Sequence, residues 1–480
     1  MVALLAVVTV VVSPLAAWAH AELISSEPGY GDRLAAVPAE VRLGFSGAMD
    51  LTGARLTLQR KGSGKVETLH PKLATSDRRV VSVALPSALG HGAFTMVWFF
   101  LGSDGHLMGG EVPFLVGEPA AAAAPAAPKA SAREARGPER QVETLGPGIA
   151  GPLIQLDAAR PPAAAPKPPR FTIAVAAPQA VVRILDYASL AVLIGGGFFL
   201  TRVWAEGTKE RRAQRLLWWA LVGSAVATLL TFGLTAAGLR GGSALDALDP
   251  SVMSAVFGTR FSRVITARAA FLALGFVALT MLTLGRERAV RSRWWQALAG
   301  VSGGGVLVTH ALLGHASSEG FAARLAVFVH LVGVAVWLGG LVFLAAVVLP
   351  RRRSEEVRTL LPRFSSLAFT AVSAMVVAGV VMVLRVAPKV TELPQTGYGR
   401  MLLVKLAFVG LLLAAAQQAR IFTERRLVKD ADRLRPLLMA VGVELVLAVV
   451  ILSSTSVLAG RVPPSTRTPT NAASTVKGQR

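Results

Sequence analysis

The hydrophobic pattern of the chain changes along its length. From about residue 21 to 117, short alternating runs such as 41–45, 55–58 and 80–83 are separated by Gly, Pro, Ser and Asp. About seven such runs predict an all-β domain at residues 20–117, either an immunoglobulin-like sandwich or a Greek-key barrel. Residues 1–19 are apolar and end in a small-x-small pattern, which predicts a cleaved signal peptide, with an uncleaved anchor as the alternative.

Beyond residue 178 the apolar stretches reach about 20 residues, the length of a transmembrane helix. They predict an all-α polytopic membrane domain of about eight transmembrane helices within residues 179–460, at 181–204, 216–239, 264–284, 294–313, 321–349, 364–386, 401–422 and 437–459. The Ala- and Pro-rich residues 118–178 predict an extended, partly disordered linker, and residues 461–480 a polar tail.

The basic residues predict the topology of the membrane domain. Loops after the first, third, fifth and seventh predicted helices are rich in arginine, whereas the alternate loops contain few Lys or Arg. The positive-inside rule therefore places the β domain and the C-terminus on the outer, periplasmic side of an inner (cytoplasmic) membrane. The net charge of +22 is explained by this topology, so the lipid bilayer, and not nucleic acid, is the expected partner.

Composition restricts the chemistry that is available. The chain has no cysteine, which excludes disulfides, CxxC metal carriers and thiolate catalysis. A soft metal would have to use His, Met or carboxylate ligands. The sequence contains no Walker motif and no phosphorylation loop of an ATP-driven pump, so we expect neither an enzyme nor an ATPase.

Two segments of the β domain could bind a metal together. Cleavage before His20 would give it a free α-amine beside the imidazole, a chelating pair that suits Cu(II). Asp104 and His106 lie two residues apart in an Asp-Gly-His turn and could complete the site. Neither the N-terminal chelating pair nor the Asp-Gly-His turn is by itself specific for a metal site.

Residues 20–117 resemble the CopC family of periplasmic copper-binding proteins. The resemblance is carried by HAEL at 20–23, SSEP at 25–28, PAEVRLGFS at 38–46 and SDGHLMGG at 103–110. It implies a small β-barrel of Greek-key type in which His20, Asp104 and His106 hold Cu(II). Glu27 is a further candidate carboxylate near the N-terminus.

Three further histidines lie in or near the membrane domain. His310 is near the outer end of the fourth predicted helix, His315 follows in the loop, and His330 is about nine residues into the fifth helix. An ionisable side chain inside a bilayer usually has a functional role, so we expect these histidines to be ligands for copper or for haem. Hydrogen bonding between helices for packing alone is the alternative.

Other polar or soft side chains could line a transport path. Met375 and Met382 are seven residues apart on one helix face, and Glu444 is about eight residues into the last predicted helix. Core packing is the alternative for the methionines. Arg268 and Lys405 are expected to extend their charged ends to a membrane surface.

Residues 180–464 are similar to the CopD family of copper membrane proteins, most specifically in HLVGVAVWLGGL at 330–341, with RFSSLA at 363–368 and YGRMLLVKL at 398–406. The pair of glycines at 339–340 also predicts close approach of helices. The order implies a CopC–CopD fusion that binds Cu(II) outside and transports copper, as Cu(I) or Cu(II), for uptake or resistance. Other periplasmic copper carriers would be its partners. The alternatives are a membrane haem or copper redox protein and a copper buffer or sensor without transport.

Overall fold

The computed structural model describes most of the β domain and the helices that follow it. It covers residues 23–45, 48–62, 66–76, 78–86, 88–102, 105, 107–117, 170–314, 320–351, 354–386, 390–395, 397–422 and 434–459. The predicted signal peptide, residues 118–169 and the C-terminal tail lie outside this part of the chain. So do four of the predicted ligands, His20, Asp104, His106 and His315.

Residues 23–117 form two facing sheets. The strands are β1 (Leu23–Glu27), β2 (Asp32–Leu34), β3 (Glu40–Phe45), β4 (Met49–Arg60), β5 (Val66–Leu69), β6 (Pro71–Leu73), β7 (Val80–Ala84), β8 (Gly92–Gly102) and β9 (Leu107–Val116). One sheet has the order β1-β3-β7-β6 and the other the order β2-β9-β8-β4-β5. The predicted all-β domain is confirmed, and two separate sheets make it a sandwich.

The alternation of apolar residues explains how the sandwich packs. Val41, Leu43 and Phe45 on β3 are at most 2% exposed, while the residues between them face outward. Phe45 packs edge-on against the Trp98 ring at 5.2 Å between ring centroids. Burying one face of each sheet in this way fixes the strand register, because a shift by one residue would expose the core.

In the described residues eight long helices follow: α1 (Arg170–Arg202), α2 (Arg211–Arg240), α3 (Arg260–Gly285), α4 (Arg293–Leu312), α5 (Phe321–Phe343), α6 (Ser354–Val386), α7 (Gly397–Phe422) and α8 (Leu434–Leu458). By length and composition, seven of these helices in the described residues could cross a membrane. The helix that falls short is α4, whose glycines 303–305 and polar residues lower its hydropathy. At 1.5 Å per residue its 20 residues still extend about 30 Å, the thickness of the hydrocarbon core.

The first helix begins earlier than the sequence predicts. It starts at Arg170, whereas we expected the linker to continue to residue 178, and Pro178 lies inside it. A proline in a membrane helix is tolerated where neighbouring groups satisfy the freed backbone carbonyl. The prediction placed the start of this helix too late because it relied on proline content alone.

The centre of the membrane domain is a close crossing of α1 and α5. A Cβ atom built on Gly339 of α5 would lie 2.8 Å from the Cα atom of Gly195 on α1. Only glycine fits at such a separation, so the predicted close approach of helices at Gly339 is confirmed. Phe343, one turn further along α5, is fully buried and packs near Phe199 of α1, with 5.9 Å between ring centroids.

Candidate functional site

The turn between β8 and β9 contains the central residue of the Asp-Gly-His motif. Gly105 has φ +82°, a conformation that favours glycine, and its N–H donates to the carbonyl of Gly102 at 2.9 Å. The flanking Asp104 and His106 are outside the described residues, so their predicted ligand roles stay predictions. The position of Gly105 nevertheless locates this turn relative to the helical domain.

This turn rests on the ends of two membrane helices. A Cβ atom built on Gly105 would lie 3.0 Å from Cδ2 of Leu313, just past the end of α4, and 3.1 Å from Cδ2 of Phe261 on α3. The β domain is thus docked on the helical domain through the same turn that carries the predicted copper ligands.

An apolar cluster holds the two domains together. On the β side it contains Phe99, Leu101 and Leu107, each at most 7% exposed. The helical side contributes Val175, Ala236, Leu239, Val256, Phe261 and Ile265. Burial of these side chains stabilises docking by removing apolar surface from water.

Polar contacts frame this cluster. The guanidinium of Arg55 donates to the carbonyl of Arg240, and the backbone N–H of Arg260 donates to the Asp50 carboxylate at 3.3 Å. A cavity of about 360 Å³ opens at this seam and is lined by Arg78, Arg260, Arg263 and Asp50 among others. Three arginines make this opening a poor entrance for a copper cation.

Charged and polar side chains meet inside the helical domain. Asp186 on α1 is 4% exposed, and its Oδ2 atom lies 3.4 Å from Nη1 of Arg268 and 3.3 Å from Nε2 of His310. Ser224 donates to the other carboxylate oxygen at 3.2 Å, and Arg268 donates through Nε to the hydroxyl of Thr309 at 2.9 Å. We call Asp186, Arg268 and His310 the buried triad.

The buried triad corrects one expectation and extends another. Arg268 is 3% exposed and pairs with Asp186, so it does not extend to a membrane surface as we expected. The predicted ligand His310 lies beside the carboxylate of Asp186, a residue on another helix. Its Nε2 atom is buried and has no hydrogen bond of acceptable geometry.

His330 has a different environment from His310. Its Nδ1 atom lies 2.9 Å from the carbonyl oxygen of Met375 on α6, and Gly379 lies on the same side. The described contacts of His310 are with Asp186, Tyr187 and Arg268, so the two histidines share no neighbour. The predicted pairing of His310 with His330 is therefore not a feature of the described contacts, although each remains a candidate ligand.

The remaining predicted residues lie at several positions in the structure. Glu27 is exposed at the end of β1, whereas Glu444 is 6% exposed in α8. Met375 is 7% exposed and Met382 is half-buried in the same helix. Within the described residues, no three His, Asp or Glu side chains gather at one point.

The helix ends opposite the β domain are joined by ion pairs. Arg351 pairs with Glu210 and with Glu356, the latter at 3.2 Å, and its guanidinium lies over the Trp204 ring. Nearby, Lys209 donates to Glu287, and this hydrogen bond holds the pKa of Glu287 below its usual value. These contacts join α1 and α2 to the later helices at the end opposite the β domain.

Comparisons with known proteins agree with this architecture. Family models match in three places: CopC domain at residues 23–117, Copper resistance protein D-like, N-terminal domain at 174–325, and Copper resistance protein D at 358–458. The copper transport protein CutJ of Bacillus subtilis (strain 168) is 22% identical over 451 residues, which cover 92% of this chain and 75% of CutJ.

Two shorter relatives each match about a fifth of the chain. Protein YobA of Escherichia coli (strain K12) is 30% identical over 114 residues, which cover 23% of this chain and 90% of YobA. The crystal structure of CopC from Methylosinus trichosporium OB3b covers 20% of this chain and 94% of its own, with 26% identity and a TM-score of 0.19. The chain therefore belongs to the CopC and copper resistance protein D families, as a copper-handling membrane protein in which a CopC domain is fused to a copper resistance protein D membrane domain.

Proposed function

We propose that the outer domain captures Cu(II) and that the helical domain then moves copper across the membrane. Copper is the cargo of this process, and the chain is a transporter without enzymatic activity. His20, Asp104 and His106 would hold Cu(II), with Glu27 as a further ligand. The similarity to CutJ, which is named a copper transport protein, supports transport over storage.

One observation carries the proposal: the Gly105 turn is docked on the ends of α3 and α4, directly beside the helix that bears His310. Leu313, which this turn approaches, is only three residues beyond His310. A metal released from the turn would therefore be near a buried imidazole and a carboxylate, both suitable copper ligands.

The later part of the route would follow α5, α6 and α8. His330 is nine residues from the start of α5, about 13 Å along the helix, and its ring reaches the backbone of α6 at Met375. Met382 and the buried Glu444 would extend this route. Copper could travel as Cu(I) or Cu(II), since imidazole binds either state and methionine prefers Cu(I).

The distribution of charge supports an inner-membrane orientation with the β domain outside. The Arg351, Glu210 and Lys209 contacts lie at the arginine-rich ends of the helices, which the positive-inside rule assigns to the cytoplasm. Other periplasmic copper carriers would then reach the β domain from its exposed side.

The test is a short-pulse measurement of copper uptake in intact cells. The strains express the wild type, His20→Ala, or the His310→Ala/His330→Ala double variant, and His70→Ala/His91→Ala serves as the matched control because both of those histidines are exposed. We expect accumulation to rise with the wild type and the control, and to collapse in the membrane double variant. Unchanged accumulation in every strain would contradict transport into the cell.

Haem binding is the competing function, and no described contact favours it. Two axial histidines would have to face one iron ion, whereas His310 and His330 have separate neighbours. A haem absorption band in the purified protein would reverse this preference. A copper buffer or sensor, the other alternative, predicts altered copper tolerance with normal accumulation.

A further inference from the structure

The charges of the buried triad already balance in the absence of copper. The Asp186 carboxylate and the Arg268 guanidinium lie 3.4 Å apart and are both more than nine-tenths buried. A copper ion at the same carboxylate oxygen would lie close to the guanidinium, and two like charges at that separation repel strongly in a low-dielectric interior. Copper can therefore bind Asp186 only if the guanidinium moves away from that oxygen atom.

The separation between the imidazole and the carboxylate suits one bridging metal ion. Two ligand atoms that each lie 2.0–2.1 Å from one metal ion are about 3–4 Å from each other. The Nε2 atom of His310 and the Oδ2 atom of Asp186 are 3.3 Å apart. The same oxygen atom faces Arg268, so the guanidinium and a metal ion would compete for one ligand.

We propose that Arg268 is the resident cation of an intramembrane copper site formed by Asp186 and His310, and that copper binds by displacing the guanidinium from Asp186. The identity of the cargo rests on the proposed function. The site itself rests on the geometry of the triad.

The contacts of Arg268 suit it to a reversible displacement. Its 3.4 Å distance to Asp186 is longer than the 2.7–2.9 Å of a strong charge-assisted hydrogen bond. Its Nε atom is held separately by Thr309 at 2.9 Å. A small rotation about the Cδ–Nε bond can therefore move Nη1 away from Asp186 while the Nε atom stays beside Thr309.

This arrangement has a consequence for selectivity. An empty carboxylate in the membrane would attract any available cation, whereas Asp186 already has a partner. A competing ion must gain enough from its ligands to replace that partner. Copper gains from the imidazole, while sodium and potassium bind imidazole poorly.

The test is the affinity of the full-length protein for Cu(II), the copper state that nitrogen and oxygen ligands suit, measured in detergent by competition with a copper chelator. All variants carry His20→Ala and His106→Ala, so that the outer site does not contribute. Arg268→Gln should bind Cu(II) about tenfold more tightly or better, because copper no longer has to displace a cation. Arg183→Gln is the matched control, since Arg183 is a half-buried arginine on α1 that donates to the Ser456 carbonyl and not to Asp186.

Two further variants separate displacement from a general structural effect. The gain of Arg268→Gln should disappear in the double variant with Asp186→Asn, and His310→Gln alone should weaken binding. Equal affinities of Arg268→Gln and its parent, or the same gain in Arg183→Gln, would overturn the proposal.

Removing the partner of a buried carboxylate destabilises the empty protein, so a milder variant is also needed. Arg268→Lys keeps the charge on a shorter side chain, and we expect it to raise the affinity about threefold because its pairing with Asp186 is looser. If Arg268→Gln does not fold, unchanged affinity in Arg268→Lys would overturn the proposal. If the wild type does not take up copper but the Arg268 variants still bind copper more tightly, the transport proposal is rejected and the displacement stands. If the wild type takes up copper normally but the Arg268 variants show no change in affinity, the displacement alone is rejected.

Discussion

Replacing Phe261 with alanine should release the β domain from the helices. Phe261 is 4% exposed and belongs to the apolar cluster that also contains Phe99, Leu101 and Leu107 of the β domain. It also lies against Gly105 in the turn of the predicted copper ligands.

The size of the effect follows from what the ring contacts. Truncating a buried Phe to Ala costs about 3–5 kcal/mol, and the ring of Phe261 is shared between the β domain and its own helical neighbours such as Phe232 and Ile265. If about half of that cost falls on docking, the docked state loses about 2 kcal/mol, or roughly a factor of 30. Both domains belong to one chain, so partial redocking is expected.

Spin-label distances measure docking directly because the natural chain contains no cysteine. Gln59→Cys on β4 and Leu245→Cys in the segment after α2 place one label on each domain at exposed positions. We expect one narrow distance distribution for this labelled parent. The Phe261→Ala variant should give a broad distribution, while Phe257→Ala, at a residue that is 64% exposed, should resemble the parent.

A narrow, unshifted distribution in Phe261→Ala would refute the reasoning, because it would show that the cluster does not determine docking. A broad distribution in the labelled parent would refute it differently, by showing that the domains separate without any substitution. If docking is required for transfer, the Phe261→Ala protein should also take up copper more slowly at limiting copper concentrations.

Three further predictions concern stability and are checked by reversible unfolding in detergent. Gly339→Ala should lower the free energy of unfolding by about 1–3 kcal/mol because its Cβ would meet the α1 backbone. The control Gly197→Ala, at a position with open space around it, should be neutral or stabilising. Equal effects of the two substitutions would contradict the close crossing of α1 and α5. Arg351→Ala should cost about 2–4 kcal/mol, since it joins two carboxylates at a half-buried position, and Arg358→Ala, in an exposed pair, less than about 1 kcal/mol. The pKa of Glu287 is lowered in the folded state, so its carboxylate stabilises the fold above about pH 4.5, and this stabilisation is lost as pH falls further. The free energy of unfolding of Glu287→Gln should therefore differ from that of the wild type near pH 7 and converge with it in acid.

The β domain was predictable because strand periodicity and turn residues are local signals. The alternating runs at 41–45 and 55–58 lie in β3 and β4, as expected. The choice between sandwich and barrel was not predictable, since it depends on which strands pair, and β3 pairs with β7 across 34 intervening residues. Strand pairing at that separation leaves no pattern within a sequence window.

The helices were also largely predictable, because a bilayer requires long apolar segments whatever surrounds them. The exceptions have physical causes. Hydropathy is low in α4 because the helix contains several glycines and polar residues, and α1 begins before Pro178 because a membrane helix tolerates proline.

The sequence by itself determined the domain order, the length and apolar character of the membrane segments, and the scarcity of histidine, because each depends only on composition and local spacing. The tertiary structure decided the partners. It brought Asp186, Arg268 and His310, from three different helices, within 3.4 Å of a shared oxygen atom, and it placed His330 beside the backbone of α6. Helix rotation and packing set which side chains meet, and these depend on shape complementarity between helices far apart in the chain.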